Sequence, residues 1–192
     1  MTQRTFTIMR HATATLISDR DHTRPLKPEG LDEASRVGAL MTQRAEAPDR
    51  ILSSTALRCR QTRDALCAGI GREVETEFDD ALYNASEHQL LDVLAGQDDA
   101  GSLLLLAHNP GVSMLALALC PGRPSQASAD HARPEDQPRA TEEARALRKQ
   151  WLRMQGGFAP AAHARFEVLA SWPELAPHST HFLRFEEAPA SD

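Results

Sequence analysis

Residues 102–107, SLLLLA, are the most apolar run in the chain. A run this short, apolar without alternation, predicts a strand buried on both faces, and such strands occur where helices cover both sides of a sheet. A second short stretch, residues 5–11 (TFTIMRH), predicts another strand, with Phe6 and Ile8 on one face and Met9 completing it. The second run ends in His11, and His108 directly follows the first. In open α/β sheets the chemistry sits at the carboxyl ends of the strands, so His11 and His108 are placed where a site forms.

The rest of the chain alternates between the two periodicities. Residues 12–27 are polar and irregular and predict a loop over the first strand end. A helix is expected from about residue 28, with Leu31, Ala34, Val37 and Met41 at helical steps, followed by a strand at 50–53. Ser54 and Thr55 are placed to cap a helix running to about residue 70, with Leu57, Gln61, Ala65 and Ala68 down one side. A short edge strand fits within 74–83. Ser86 caps a helix that stops at Gly96, and a further helix spans 112–119. Residues 121–138, rich in proline, serine and charge, predict an exposed loop, and 141–154 return to helical order with Ala144, Leu147, Trp151 and Met154 on one face. Strands at 164–169 and 180–185 are expected to pair near a sheet edge. The alternation predicts a three-layer α/β/α sandwich with a mostly parallel central sheet, formed by one domain over 1–188 with an inserted loop at about 121–139 and a tail at 189–192.

Composition narrows the function. The chain has 192 residues, enough for one well-buried core, and a net charge of −6, which argues against nucleic-acid or anionic-membrane partners. No apolar run is long enough to span a membrane. Cys59, Cys67 and Cys120 have no metal-ligand spacing and read as reduced thiols in a cytoplasmic protein. If the substrate is an anion, positive charge must be concentrated in a pocket.

Such a pocket is visible in the pattern. The first strand delivers Arg10 beside His11, the strand at 50–53 leads into a helix carrying Arg58, and the run at 102–107 delivers His108. Parallel strands would bring Arg10, His11, Arg58 and His108 together at one end of the sheet. Two guanidinium forks and two imidazoles suit a tetrahedral dianion, and the helix after His108 would add its positive end.

Arg10-His11, Arg24-Pro25-Leu26 with Gly30, Ser54 with Arg58, Gln61 and Thr62, and His108-Asn109-Pro110-Gly111, in this order, resemble the histidine phosphatase superfamily, most closely its small SixA-type branch. The resemblance implies a phosphoglycerate mutase-like fold and a metal-independent phosphatase with no cofactor. It also implies His11 as the nucleophile and Arg10, Arg58 and His108 as ligands of the phosphoryl oxygens. Arg24 reads either as a further substrate-binding residue that shapes the phosphate pocket or as a partner of Asp21. The partner would be a phosphohistidine-bearing protein. A small-molecule phosphomonoesterase acting on a phosphorylated metabolite is the alternative, and a catalytically silent phosphate-binding module a third reading.

The general acid is the open position. Relatives acting on alkyl phosphates take a carboxyl from the segment between the second arginine and the second histidine. Here that segment offers Asp79, Asp80 and Glu87, of which Glu87 is the candidate acid. An imidazole leaving group, whose conjugate acid has a pKa of about 6.5, departs without help, so a site with no acid favours phosphohistidine. His22, His88, His131, His163, His178 and His181 read as scattered loop or surface residues, and Arg60 and Arg63 as solvated.

Overall fold

The computed structural model describes residues 4–97, 100–120, 137–176 and 179–190. Six strands form one sheet: β1 (Arg4–Arg10), β2 (Arg50–Ser54), β3 (Glu75–Asp79), β4 (Ser102–Ala107), β5 (His163–Val168) and β6 (Thr180–Glu186). Their spatial order is β3-β2-β4-β1-β5-β6. The pairs β3–β2, β2–β4 and β4–β1 are parallel, whereas β1–β5 and β5–β6 are antiparallel. The sheet is therefore parallel through its site-bearing half and closes with a late antiparallel hairpin.

Alternate residues of the central strands feed two cores. Phe6, Ile8, Leu103 and Leu105 point into one, which α3 (Glu87–Ala95), α4 (Gly111–Leu119) and α5 (Gln137–Gln155) supply with Leu90, Leu94, Val112, Leu115 and Met154. Met9, Ile51, Leu104 and Leu106 point into the other, against Ala34, Val37 and Met41 of α1 (Pro28–Gln43) and Leu66, Cys67 and Ile70 of α2 (Leu57–Ile70). That division is the three-layer sandwich: each strand face needs its own helical cover, because all of Leu103 to Leu106 are fully buried.

Several elements depart from the expected boundaries. Helix α2 has Ala56 at its N-cap with no side-chain cap, because the Ser54 hydroxyl is drawn to His108. Its buried face is Arg58, Cys59, Thr62, Leu66, Cys67 and Ile70, a quarter turn from the face expected; the arginine and threonine are buried for the site, which disguises the apolar stripe. Helix α3 carries the expected Ser86 cap as a reciprocal capping box with Gln89. The loop expected at 121–138 lies outside the described residues for 121–136, and α5 already includes residues 137 and 138. The start of the tail is docked, since Arg36 Nε donates to the Pro189 carbonyl at 3.1 Å. Among the described residues no helix is long and apolar enough to cross a membrane, and Cys59, Cys67 and Cys120 form no disulfide.

Candidate active site

The parallel half of the sheet places Arg10, His11 and His108 at neighbouring carboxyl ends. Arg10 is the last residue of β1 and pairs in register with Ala107 of β4, so the residues that follow them, His11 and His108, emerge side by side. Their rings lie 5.3 Å apart between centroids. His11 is held by its backbone, the N–H donating to Ala107 O at 3.2 Å and the carbonyl accepting from Ala161 N at 3.2 Å. Arg58 arrives on the first turn of α2, which follows β2 directly. Thr62 ties the two elements: its hydroxyl accepts from Ala12 N at 3.0 Å and donates to Arg58 O at 2.6 Å.

The protonation state of His11 follows from one contact. Nδ1 lies 2.8 Å from the Ala12 carbonyl oxygen. A carbonyl only accepts, so Nδ1 carries the proton and Nε2 keeps its lone pair. Burial, reinforced by the Arg58, Arg10 and Arg24 charges, pushes the His11 pKa down to about 4. The imidazole is therefore neutral and nucleophilic at Nε2 over the whole physiological range.

His108 has its tautomer set in the opposite sense. Its Nδ1 accepts from Arg58 Nε at 3.2 Å, so Nε2 carries the proton and donates to Ser54 Oγ at 2.8 Å. Burial and then the Arg58 charge lower its pKa to about 3. In this arrangement both nitrogens are engaged within the protein. Cys59 Sγ also lies near, 3.6 Å from Nε2, but burial raises that thiol to about 12 and leaves it inert.

Arg10 donates from Nη1 to the Phe158 carbonyl at 2.8 Å, and its Nε is buried with no acceptor. A buried, unpaired guanidinium N–H is costly unless a ligand takes it. Arg58 is 2% exposed and donates to Asp21 twice, from Nη1 to the backbone carbonyl at 2.7 Å and from Nη2 to Oδ2 at 3.1 Å. Arg24 joins the same carboxylate, Nε to Oδ1 at 2.9 Å, and donates to Thr15 O. Arg24 thus belongs to the cluster through Asp21.

Two members of the cluster were not legible as site residues. Asp21 is one, readable in the sequence as a partner for Arg24, a pairing the structure shows, but not as a neighbour of Arg58. Tyr83 is the other, the single tyrosine of the chain. Its hydroxyl donates to Asp21 Oδ2 at 2.5 Å, and its ring stands edge-on to His108 at 5.5 Å and to His22 at 4.9 Å. The Tyr83 hydrogen bond and the two arginines hold the Asp21 carboxyl below its usual range. His22, expected to be incidental, lines this rim and bonds Thr55 Oγ1 at 3.0 Å.

The remaining candidates lie apart. Glu87 sits on the first turn of α3, pairs with His88 at 3.3 Å and makes no hydrogen bond or ion pair to the cluster. His163, expected in a loop or on an exposed face, is buried on β5 with Nε2 3.8 Å from Glu186. Arg63 is held by Asp64, Glu73 and Thr76 rather than solvated. His131 and His178 lie outside the described residues. Among the described residues no group of three or more His, Cys, Asp or Glu is arranged to hold a metal ion.

Comparison with known proteins points the same way. The family model of the histidine phosphatase superfamily (branch 1) matches residues 6–86. An uncharacterized protein of Mycobacterium leprae is 33% identical over 100 residues, covering 52% of this chain but only 60% of that protein. One from Mycobacterium tuberculosis is 34% identical over 113 residues, 58% of this chain and 69% of the relative. Phosphohistidine phosphatase SixA of Escherichia coli is 29% identical over 130 residues, 60% of this chain and 73% of its own. Among solved structures, a candidate SixA phosphohistidine phosphatase from Nakamurella multipartitia superposes with a TM-score of 0.74 at 27% identity, covering 98% of both chains.

Proposed function

The chain belongs to the histidine phosphatase superfamily, and from that premise we propose that it is a protein phosphohistidine phosphatase working through a phosphohistidine intermediate on His11. The observation that carries the mechanism is the 2.8 Å contact from His11 Nδ1 to Ala12 O, which leaves Nε2 unprotonated and aimed by its backbone. Nε2 attacks phosphorus as the P–N bond of the substrate breaks, and water then releases phosphate from His11. Arg10, Arg58 and Arg24 surround the seat with Asp21 among them. Three guanidiniums less one carboxylate leave two positive charges, the complement of a phosphoryl dianion. Arg10 Nε, buried and unpaired, is a donor suited to one of its oxygens. The dianion would also favour a proton on His108 Nδ1, freeing Arg58 Nε to turn from the imidazole to a phosphoryl oxygen.

The choice of substrate rests on the missing acid. An alkyl phosphate needs a proton for its departing oxygen. The carboxyl bonded into the cluster, Asp21, is held in its ionised form by the Tyr83 hydrogen bond and by Arg58 and Arg24, and Glu87 is engaged with His88. Imidazole leaves without such help, in keeping with the SixA proteins to which the chain is similar. In this reading the partner is a phosphohistidine-bearing protein of the cytoplasm. A small-molecule phosphomonoesterase on the same scaffold is the second reading and would use Glu87.

A paired hydrolysis assay tests the proposal. The purified protein, in EDTA, is given a phosphohistidine carrier protein or a panel of alkyl phosphates, with His11→Ala as control. Release from phosphohistidine at a rate well above that from alkyl phosphates, lost in the variant, is expected. Preference for an alkyl phosphate, sensitive to Glu87→Gln, would replace it with the second reading.

A further inference from the structure

We propose that Asp21 is the specificity-determining residue of this site: its carboxylate, standing where the leaving group exits, selects phosphoramidates that depart from a cationic imidazolium over esters that depart as oxyanions. The inference rests on the phosphatase reading above and goes beyond it by assigning the selection to a group present in the site rather than to an acid missing from it.

The position comes first. His11 is 7% exposed and Arg58 2%, so the nucleophile lies at the floor of the cleft. The Asp21 side chain is half exposed, above them at the mouth. Displacement proceeds in line, with the leaving atom opposite the attacking nitrogen. A substrate seated on His11 therefore directs its leaving group outward, past Asp21 and the Tyr83 ring that bonds it.

The charge follows from the contacts. Oδ2 accepts from Arg58 Nη2 at 3.1 Å and from Tyr83 OH at 2.5 Å, and Arg24 Nε forms an ion pair with Oδ1 at 2.9 Å without a hydrogen bond. Two donors and a second guanidinium converge on a group that donates to none, which is how a carboxylate behaves. A carboxylate has about four lone-pair directions, of which two are taken, so there is room for a further N–H. Phosphohistidine offers that N–H: when the ring nitrogen not bearing phosphorus is protonated, the ring is an imidazolium. As the P–N bond breaks, its electron pair stays on the departing nitrogen and the ring leaves neutral, keeping its other N–H, while the phosphoryl group forms its new bond to His11 Nε2. No proton is transferred. A carboxylate beside the ring stabilises the cationic form and hence the form that leaves.

For an ester the same carboxylate acts in the opposite sense. The oxygen leaves with its electron pair as an anion, and Asp21 both repels it and screens it from Arg24 and Arg58. Without the carboxylate, three arginines would face the leaving group and an oxyanion would be favoured.

The test compares phosphoimidazole with p-nitrophenyl phosphate, whose leaving groups both depart without an acid but differ in charge. In Asp21→Asn the ratio of kcat/KM for phosphoimidazole over p-nitrophenyl phosphate should fall by about tenfold or more, the scale of one close charge interaction near a protein surface. A ratio unchanged from wild type, whether both rates fall together or neither falls, means that Asp21 only positions the arginines, and overturns the proposal. Should circular dichroism show Asp21→Asn to be unfolded, Asp21→Glu decides: it keeps the charge, so the preference for phosphoimidazole should persist, and its loss overturns the proposal. His11→Ala separates the two levels. His11-dependent hydrolysis of phosphoimidazole with an unaltered ratio in Asp21→Asn refutes the role of Asp21 alone, whereas wild-type turnover of the aryl ester only refutes the phosphohistidine reading as well.

Discussion

At the scale of single residues, the site is governed by which nitrogen of each imidazole holds a proton. His11 spends Nδ1 on a backbone carbonyl and leaves Nε2 with its lone pair, while His108 spends both nitrogens on Arg58 and Ser54. Both rings are neutral, mainly because they are buried and also because guanidiniums surround them. Proton titration followed by NMR should therefore place the His11 midpoint near 4 and the His108 midpoint near 3, well below the ordinary 6.5. The sign of the stability effect follows. The folded pKa values are depressed, so the unfolded chain takes up protons first as pH falls. The stability contributed by the two neutral rings is complete above about pH 6.5 and is lost as pH drops toward 4 for His11 and toward 3 for His108. A His11 midpoint near 6.5 would contradict this account of the nucleophile. The four residues Arg10, His11, Arg58 and His108 were legible because each sits at the end of a strand or the head of a helix. Asp21 and Tyr83 were not, since a loop carboxylate and a tyrosine after a short turn carry no periodic signal. Only the folded loop brings them to the arginines.

At the scale of elements, the site depends on how closely α1 and α2 approach each other beneath the loop at 12–27. A Cβ on Gly38 would lie 2.2 Å from the Leu66 carbonyl oxygen, and one on Gly69 1.9 Å from that of Ser35. Both contacts are with backbone, which cannot swing aside, so the helices meet through glycine. Gly38→Ala and Gly69→Ala should each destabilise the protein by about 1–3 kcal/mol through overpacking, read from denaturant or thermal unfolding. A loss below about 0.5 kcal/mol, the range of an exposed substitution, would show that the crossing is looser than described. The existence and order of the helices and strands were readable from periodicity. The face of α2 was not, because Arg58 and Thr62 occupy buried positions that a hydrophobic pattern assigns to apolar residues. Ser54 was misread for a related reason: a serine before a helix predicts a cap, yet here the hydroxyl accepts from His108 instead.

At the scale of the whole molecule, the sheet order explains why residues distant in sequence share one cleft. β4 inserts between β2 and β1, so the parallel carboxyl ends deliver Ser54 and Arg58, His108, and Arg10 with His11 as successive neighbours. The late hairpin β5–β6 adds antiparallel strands on the far side of β1, and the residues just before it bring backbone groups to the cleft, the Phe158 carbonyl accepting from Arg10 and the Ala161 N–H donating to His11. Within a chain of net charge −6, Arg10, Arg24 and Arg58 are gathered at this one end of the sheet. The three-layer sandwich was legible from the alternation of strand and helix signals, whereas the identity of the neighbours was not, since pairing is fixed only when both faces of SLLLLA find their helices. The central claim is that His11 carries the phosphoryl group, and trapping that intermediate tests it most directly. The enzyme is mixed with a radiolabelled phosphohistidine carrier protein, quenched in alkali within milliseconds, and mapped by peptide mass spectrometry. The account predicts a transient acid-labile phosphoryl group on the His11 peptide, bonded at Nε2 and absent from His11→Ala. Undiminished turnover in His11→Ala, with no labelled His11 peptide in the wild type, would contradict it.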